Sequence, residues 1–338
     1  TYLGQQPYHT SQAPITGEEI TLEGETYYKI SAVDRMRPFF MSIVSHSDHW
    51  MFLASNGGLS AGRVNSDFAL FPYYTDDKIT ESAETTGCKT VLLVEAGDRR
   101  MLWQPFSDQN KGAYAIERNL YKNAYGNKVM FEEVNLDLNL TFRYQWAASE
   151  LYGFVRQARL TSSSDQPIHV SVLDGLQNVL PYGVPEGLQR GSSNLVDAYK
   201  KCELEDGNLG IYALSAIISD KAEPSESLKA NVVWSVGFDS PEVLLSSRQL
   251  DTFKTGGALV TETDVKAERG AYLLQQSLEL GPEESKDWMI VANLGQSIRG
   301  VVALKRDLQS PDTLKQAVLK DVEEGSNSLI ALVAASDG

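Results

Sequence analysis

Cysteine and histidine are scarce in this chain, with two Cys and four His among 338 residues. Cys88 and Cys202 have no cysteine or histidine near them at metal-ligand spacing, so the sequence carries neither a disulfide framework nor a thiolate site, and both read as free thiols. His46-Ser47-Asp48-His49 suits a polar turn better than a metal pair. Asn56-Gly57-Gly58 lacks the Gly-Lys-Ser/Thr of a phosphate loop, and no cofactor or metal is expected. Basic charge is also short: 30 Lys and Arg stand against 45 Asp and Glu, a formal charge of -15 that would repel a nucleic-acid backbone. No apolar run approaches the roughly 18 residues that a membrane helix needs. Neither nucleic acid nor a membrane is an expected partner.

What is present is strand pattern. Between Glu117 and Tyr182 the chain reads as three or four strands in succession. In Leu136 to Trp146 the apolar Leu136, Leu138, Leu140, Phe142, Tyr144 and Trp146 alternate with Asp137, Asn139, Thr141, Arg143 and Gln145. One apolar and one polar face is the signature of an antiparallel sheet with a core on one side. Further strand-like runs, with Gly, Asn, Pro and Ser between many of them, extend from Tyr27 to Asn293 with almost no alternating helices. The expectation is an all-β chain, a large antiparallel β-sandwich with helices at its carboxy-terminal end. Ser310-Pro311-Asp312 is a helix start, and Leu314, Val318 and Val322 share a face of a helix running to about Glu324. The apolar run from Leu329 reads as the first turns of a buried helix without its partners.

Asn56-Gly57-Gly58-Leu59-Ser60, Asp67, Leu70 with Pro72-Tyr73-Tyr74, Trp103-Gln104-Pro105, and Ile168 to Asp174 together carry a resemblance. They resemble the amino-terminal "supersandwich" domain of cellobiose and chitobiose phosphorylases, a galactose-mutarotase-like β-sandwich. In that family two linker helices and an (α/α)6 barrel with the catalytic carboxylate follow. The resemblance implies a sandwich over residues 1–308, a linker helix and barrel entrance over 309–338, a helical barrel of the same polypeptide as partner, and a dimer surface. The run Ala61 to Asp67 departs from the family's Arg-rich strand, which leaves the substrate open.

Several residues are candidates for holding a sugar, whose hydroxyls each need a partner on leaving water. Asn56, Gly57 and Gly58 permit positive φ and close approach, and equally fit a plain hairpin turn. Trp103 could stack on a pyranose or belong to the core. Arg143 and Gln145 offer donors on the polar strand face, which also fits an ordinary solvated surface. Asp174, Gln177 and Asn178 cluster near a strand end, where they could meet a ligand or hold the following loop. The resemblance points to a non-catalytic, carbohydrate-facing domain with an oligosaccharide or sugar as ligand. The alternatives are a sugar epimerase, with His169 as general acid and Glu132, Glu133 or Glu279 as base, or a stand-alone carbohydrate-binding module.

Overall fold

The computed structural model describes residues 2, 3, 6–191, 196–215 and 228–336. Alternating apolar and polar residues pair into one eleven-stranded antiparallel sheet, which holds the chain's centre. Its middle strands are Ile116–Asn123, Val129–Asn135, Leu140–Ser149, Gly153–Ser162 and Ser285–Ser297. A five-stranded sheet, with Gly87–Ala96, Ile168–Val179 and Gly270–Leu280 at its middle, and a four-stranded sheet from Phe40–Ile43 to Ala69–Phe71 supply further layers. One continuous apolar core, including Phe142, Trp146, Leu160, Val172 and Leu274, joins all three sheets. The all-β antiparallel sandwich therefore stands on the strand pairings themselves.

Three boundaries differ from the sequence reading. Leu136 to Asn139 form a turn, so the strand begins at Leu140; Leu136 is exposed, and Asn139 has a left-handed φ of 52°. The strand after Ser162 continues past Asp174 to Val179, because Leu176 and Val179 extend the buried face. The last helix, Pro311–Ser336, does not stop near Glu324. Its Gly325-Ser326 step has low helix propensity, but the site favours it. A Cβ at Gly325 would sit 2.8 Å from His46 Cε1, and Ser326 Oγ accepts from Asn127 Nδ2 at 2.8 Å.

That helix and its predecessor, Ile298–Asp307, lie on the outer face of the long sheet. Leu314, Val318 and Val322 pack on Val155, Trp234, Met289 and Val291. Burying each such side chain contributes about 1.5–3 kcal/mol. Asp321 accepts from Ser149 and from the Leu151 amide, which fixes the helix along the sheet. The helices leave part of the outer face uncovered.

A buried ionic cluster links the two main sheets. Arg156 and Asp174 are both fully buried and form a bidentate pair, Nη1 to Oδ2 at 2.6 Å and Nη2 to Oδ1 at 2.8 Å. Trp288 Nε1 and Thr90 Oγ1 each donate to Asp174 at 2.6 Å. Arg156 also donates to Cys88 Sγ at 3.2 Å and lies over the Tyr144 ring, 4.7 Å from its centroid.

His49 is buried at an edge of this core, with Nδ1 2.8 Å from Ser47 Oγ and Nε2 without a partner. Burial, with Arg63 nearby, pushes its pKa from 6.5 down to about 4. Between those values the unfolded chain binds more protons than the folded one, so stability falls as pH drops from about 6.5 to about 4. The loss amounts to about 3 kcal/mol at most. Urea unfolding across this window is expected to show less acid sensitivity in His49→Gln than in the parent chain; equal sensitivity would remove the assignment.

Candidate functional site

The uncovered part of the long sheet's outer face forms a groove of about 450 Å³, with Glu25 and Tyr27 on one side and Lys315 and Leu319 of the long helix on the other. Its floor is set by register. Arg143 lies opposite Arg159, and Arg159 opposite Asp287; one step along, Gln145 lies opposite Gln157, and Gln157 opposite Met289. Met130, opposite Gln145 on the other side, completes the second row. Two amides thus run between two methionines, and two guanidiniums run beside them.

Like charges directly opposite across a sheet are destabilising. Here each guanidinium carries its own acid: Arg143 Nε donates to Glu132, and Arg159 Nε donates to Asp287 at 2.6 Å. Glu132 also accepts from Asn119 at 2.7 Å and Tyr121 at 2.8 Å, so it is held from three sides. Arg143 and Arg159 remain 38% and 42% exposed, and neither Nη of Arg143 has a hydrogen-bond partner among the described residues. The Tyr27 hydroxyl lies 3.0 Å from Gln145 Oε1 and 3.1 Å from Glu25 Oε2, and gives its single proton to one of the two. Burial, reinforced by Glu25, pushes the Tyr27 phenol far up, so it stays protonated as a donor. Burial alone would raise the Glu25 pKa, but hydrogen bonds from Lys128 and Asn123 prevail and hold it below the usual range. The Gln145 NH2 and the whole Gln157 amide have no hydrogen-bond partner among the described residues and line the groove.

The structure brings Arg143 and Gln145 together and scatters the other expected sugar contacts. Trp103 is a correction: it is buried in the core and gives its indole N–H to Glu133 Oε1 at 2.7 Å, so no ring face is open to a pyranose. Asp174 is another, since its oxygens are taken up by Arg156, Trp288 and Thr90. Gln177 donates to Glu84 O at 3.0 Å and Asn178 to Thr86 Oγ1 at 2.9 Å; both are buried and hold the strand end and its neighbouring loop. In the Asn56-Gly57-Gly58 turn, Asn56 Nδ2 donates to Thr80 O at 2.9 Å, and a Cβ at Gly58 would lie 2.1 Å from the Ile79 carbonyl oxygen. Gly58 thus admits a neighbouring backbone, a Cβ at Gly57 would lie 3.2 Å from the Tyr144 hydroxyl, and Asn56 also borders the cavity described below.

His169 and Glu279 are directly opposite on the five-stranded sheet, and both are exposed. Glu132 and Glu133 belong to the long sheet and point to its two opposite faces, so neither joins His169 at one site. No group of His, Cys, Asp and Glu able to hold a metal occurs among the described residues, and no described helix is long and apolar enough to cross a membrane.

The sequence reading missed Gln157, Arg159, Asp287 and Lys315. Gln157 and Arg159 alternate with buried Arg156, Ala158 and Leu160, so the period was legible. Their position beside Arg143 depends on the turn that pairs Ser149 with Gly153. Asp287 and Lys315 arrive from more than a hundred residues away, with no local signal.

No family model matches the chain, and no curated protein matches it. Among solved structures it is similar to a bacterial glucoamylase in complex with acarbose, at 9% identity and a TM-score of 0.45, covering 88% of this chain and 38% of that one. It is also similar to an aldose epimerase homologue from C. elegans, at 11% identity and a TM-score of 0.46, covering 77% of this chain and 100% of that one. A galactose mutarotase-like protein from Clostridium acetobutylicum shares 7% identity at a TM-score of 0.39, over 84% and 99% of the two chains. This chain thus spans little more than a third of the glucoamylase. Likenesses this distant bear on no residue of the groove.

Proposed function

We propose that this chain is a non-catalytic, carbohydrate-facing β-sandwich domain of a glycoside phosphorylase or hydrolase-like enzyme, and that the groove holds an oligosaccharide. The observation that carries this reading is the paired floor of Arg143, Arg159, Gln145 and Gln157. It presents unsatisfied N–H donors beside acceptors such as Glu25 and Asp287, as a ligand that both donates and accepts requires. At about 450 Å³ the groove falls within the range of small-molecule sites. The same reading makes the long helix the contact to a helical barrel of the same polypeptide, with Leu332 and Val333 exposed on it.

Arg143→Ala is expected to weaken oligosaccharide binding by about 1–3 kcal/mol, the range for losing a hydrogen bond to a charged group. Calorimetric titration with cello- and malto-oligosaccharides reads this directly; unchanged affinity in the variant would remove Arg143 from the site. The chain is also expected to leave the anomers of glucose and galactose at their buffer rate, because His169 and Glu279 lie on an open sheet surface. A general acid or base contributes about 10²- to 10⁴-fold, so acceleration seen by polarimetry and lost in His169→Ala would establish the epimerase reading instead.

A further inference from the structure

A second cavity, of about 150 Å³, lies at the other end of the fold from the long helix's contact, between the short 3-10 turn Val33–Arg35, the Asn56 turn, Phe106 and the strand Ile116–Asn123. It shares Asp34, Lys111 and Arg118 with a wider surface hollow of about 480 Å³, which connects it to solvent. Its walls divide by chemistry. Val33, Met36, Phe106 and Phe131 supply an apolar side, on which Phe106 and Phe131 meet edge to face at 6.1 Å. Asp34 and Asp108 face Lys111 and Arg118 on the polar side.

Three features set this cavity apart from an ordinary packing gap. Asp34 Oδ1 is buried without a hydrogen-bond partner, and a buried acceptor left open calls for an explanation. Asp34 lines the cavity and its carboxylate accepts no hydrogen bond among the described residues, so a donor arriving in the cavity can satisfy it. Arg118 uses three N–H groups, on Glu133, Asp108 and the Ser107 carbonyl, at 2.7, 3.0 and 2.8 Å. A guanidinium has five. Two non-glycine residues in the left-handed region flank the space: Ala32 (φ 53°) sets the turn that carries Asp34, and Phe106 (φ 64°) forms part of the wall. Such backbone costs about 1–3 kcal/mol per residue and persists where the surroundings enforce it, often at ligand sites.

We infer that this cavity is a binding site for a single neutral sugar ring, separate from the groove and independent of the reading given to it. The wall carries charged groups of both signs, and a polyhydroxylated ring donates to Asp34 and accepts from Arg118 and Lys111. The ring's apolar face would meet Phe106 and Phe131. A volume well below the roughly 300–1,000 Å³ of larger ligand sites excludes an oligosaccharide.

Saturation-transfer NMR with D-glucose and D-galactose tests the inference on the parent chain and on Asp34→Asn, Lys111→Ala and Arg143→Ala. At least one of the two sugars is expected to bind the parent. Asp34→Asn should weaken that binding at least tenfold without lowering the thermal midpoint, because it replaces a half-buried, unpaired carboxylate charge by a neutral amide of the same shape. Lys111 is exposed, so Lys111→Ala leaves folding alone and should weaken binding several-fold; Arg143→Ala should leave it unchanged. Absence of binding by both sugars overturns the site, and so does binding that survives both the Asp34 and Lys111 replacements. Loss on Arg143→Ala alone would assign the sugar to the groove and overturn the cavity.

Discussion

Replacing Asp174 by Leu is expected to cost the chain about 3–5 kcal/mol of folding stability, because it strands the guanidinium of Arg156 in a core closed to solvent. Arg156 and Asp174 are both at zero exposure, and the Asp also holds Trp288 and Thr90. Removing one partner therefore leaves a buried cation and two further donors unsatisfied. The double replacement Asp174→Leu with Arg156→Met is expected to recover much of the loss, since a well-packed apolar pair often equals a buried ion pair. Urea midpoints of the two single variants and the double one check this. A double variant as unstable as Asp174→Leu alone would mean that the Trp288 and Thr90 contacts dominate.

Glu133→Ala carries a loss of comparable size by a different route. Glu133 is 1% exposed and accepts from Trp103 Nε1, the Phe106 amide and Arg118 Nε, each at 2.7 Å. Arg118 keeps Asp108 as a partner, so the loss comes mainly from the three donors left unsatisfied, about 1–3 kcal/mol each. The amide of Phe106 is held while its φ is left-handed, so the segment around Phe106 should loosen together with global stability. Hydrogen exchange at Phe106 that stays slow in a destabilised Glu133→Ala chain would show that the backbone there is fixed by other contacts.

The sandwich was legible because period-two alternation and turn residues are local properties. Phe142, Tyr144 and Trp146 face the core while Arg143 and Gln145 face out, as their spacing requires. The same logic failed for polar residues on inward positions. Asp174 and Glu133 read from the sequence as site candidates, yet each is buried because an arginine on another strand, Arg156 or Arg118, satisfies it. Trp103 failed in the converse way: its ring suits a sugar, but its neighbours on the strand direct it inward. The groove was half legible. Arg143 and Gln145 came from one strand, whereas Gln157, Arg159, Asp287 and Lys315 join them only through strand register and helix docking. Asp34 gave no signal at all, since a lone Asp in a turn is commonplace and its unpaired oxygen exists only in the folded chain.

The claim that the outer groove holds carbohydrate is tested most directly by the side-chain amide resonances of Gln145 and Gln157 during titration with cello- and malto-oligosaccharides. These amides lie side by side on the floor with N–H donors open. Progressive shifts of both, saturating together and weakened in Arg143→Ala, are the predicted result. Binding detected by calorimetry while both amides stay unmoved, or no binding by either series, would contradict it.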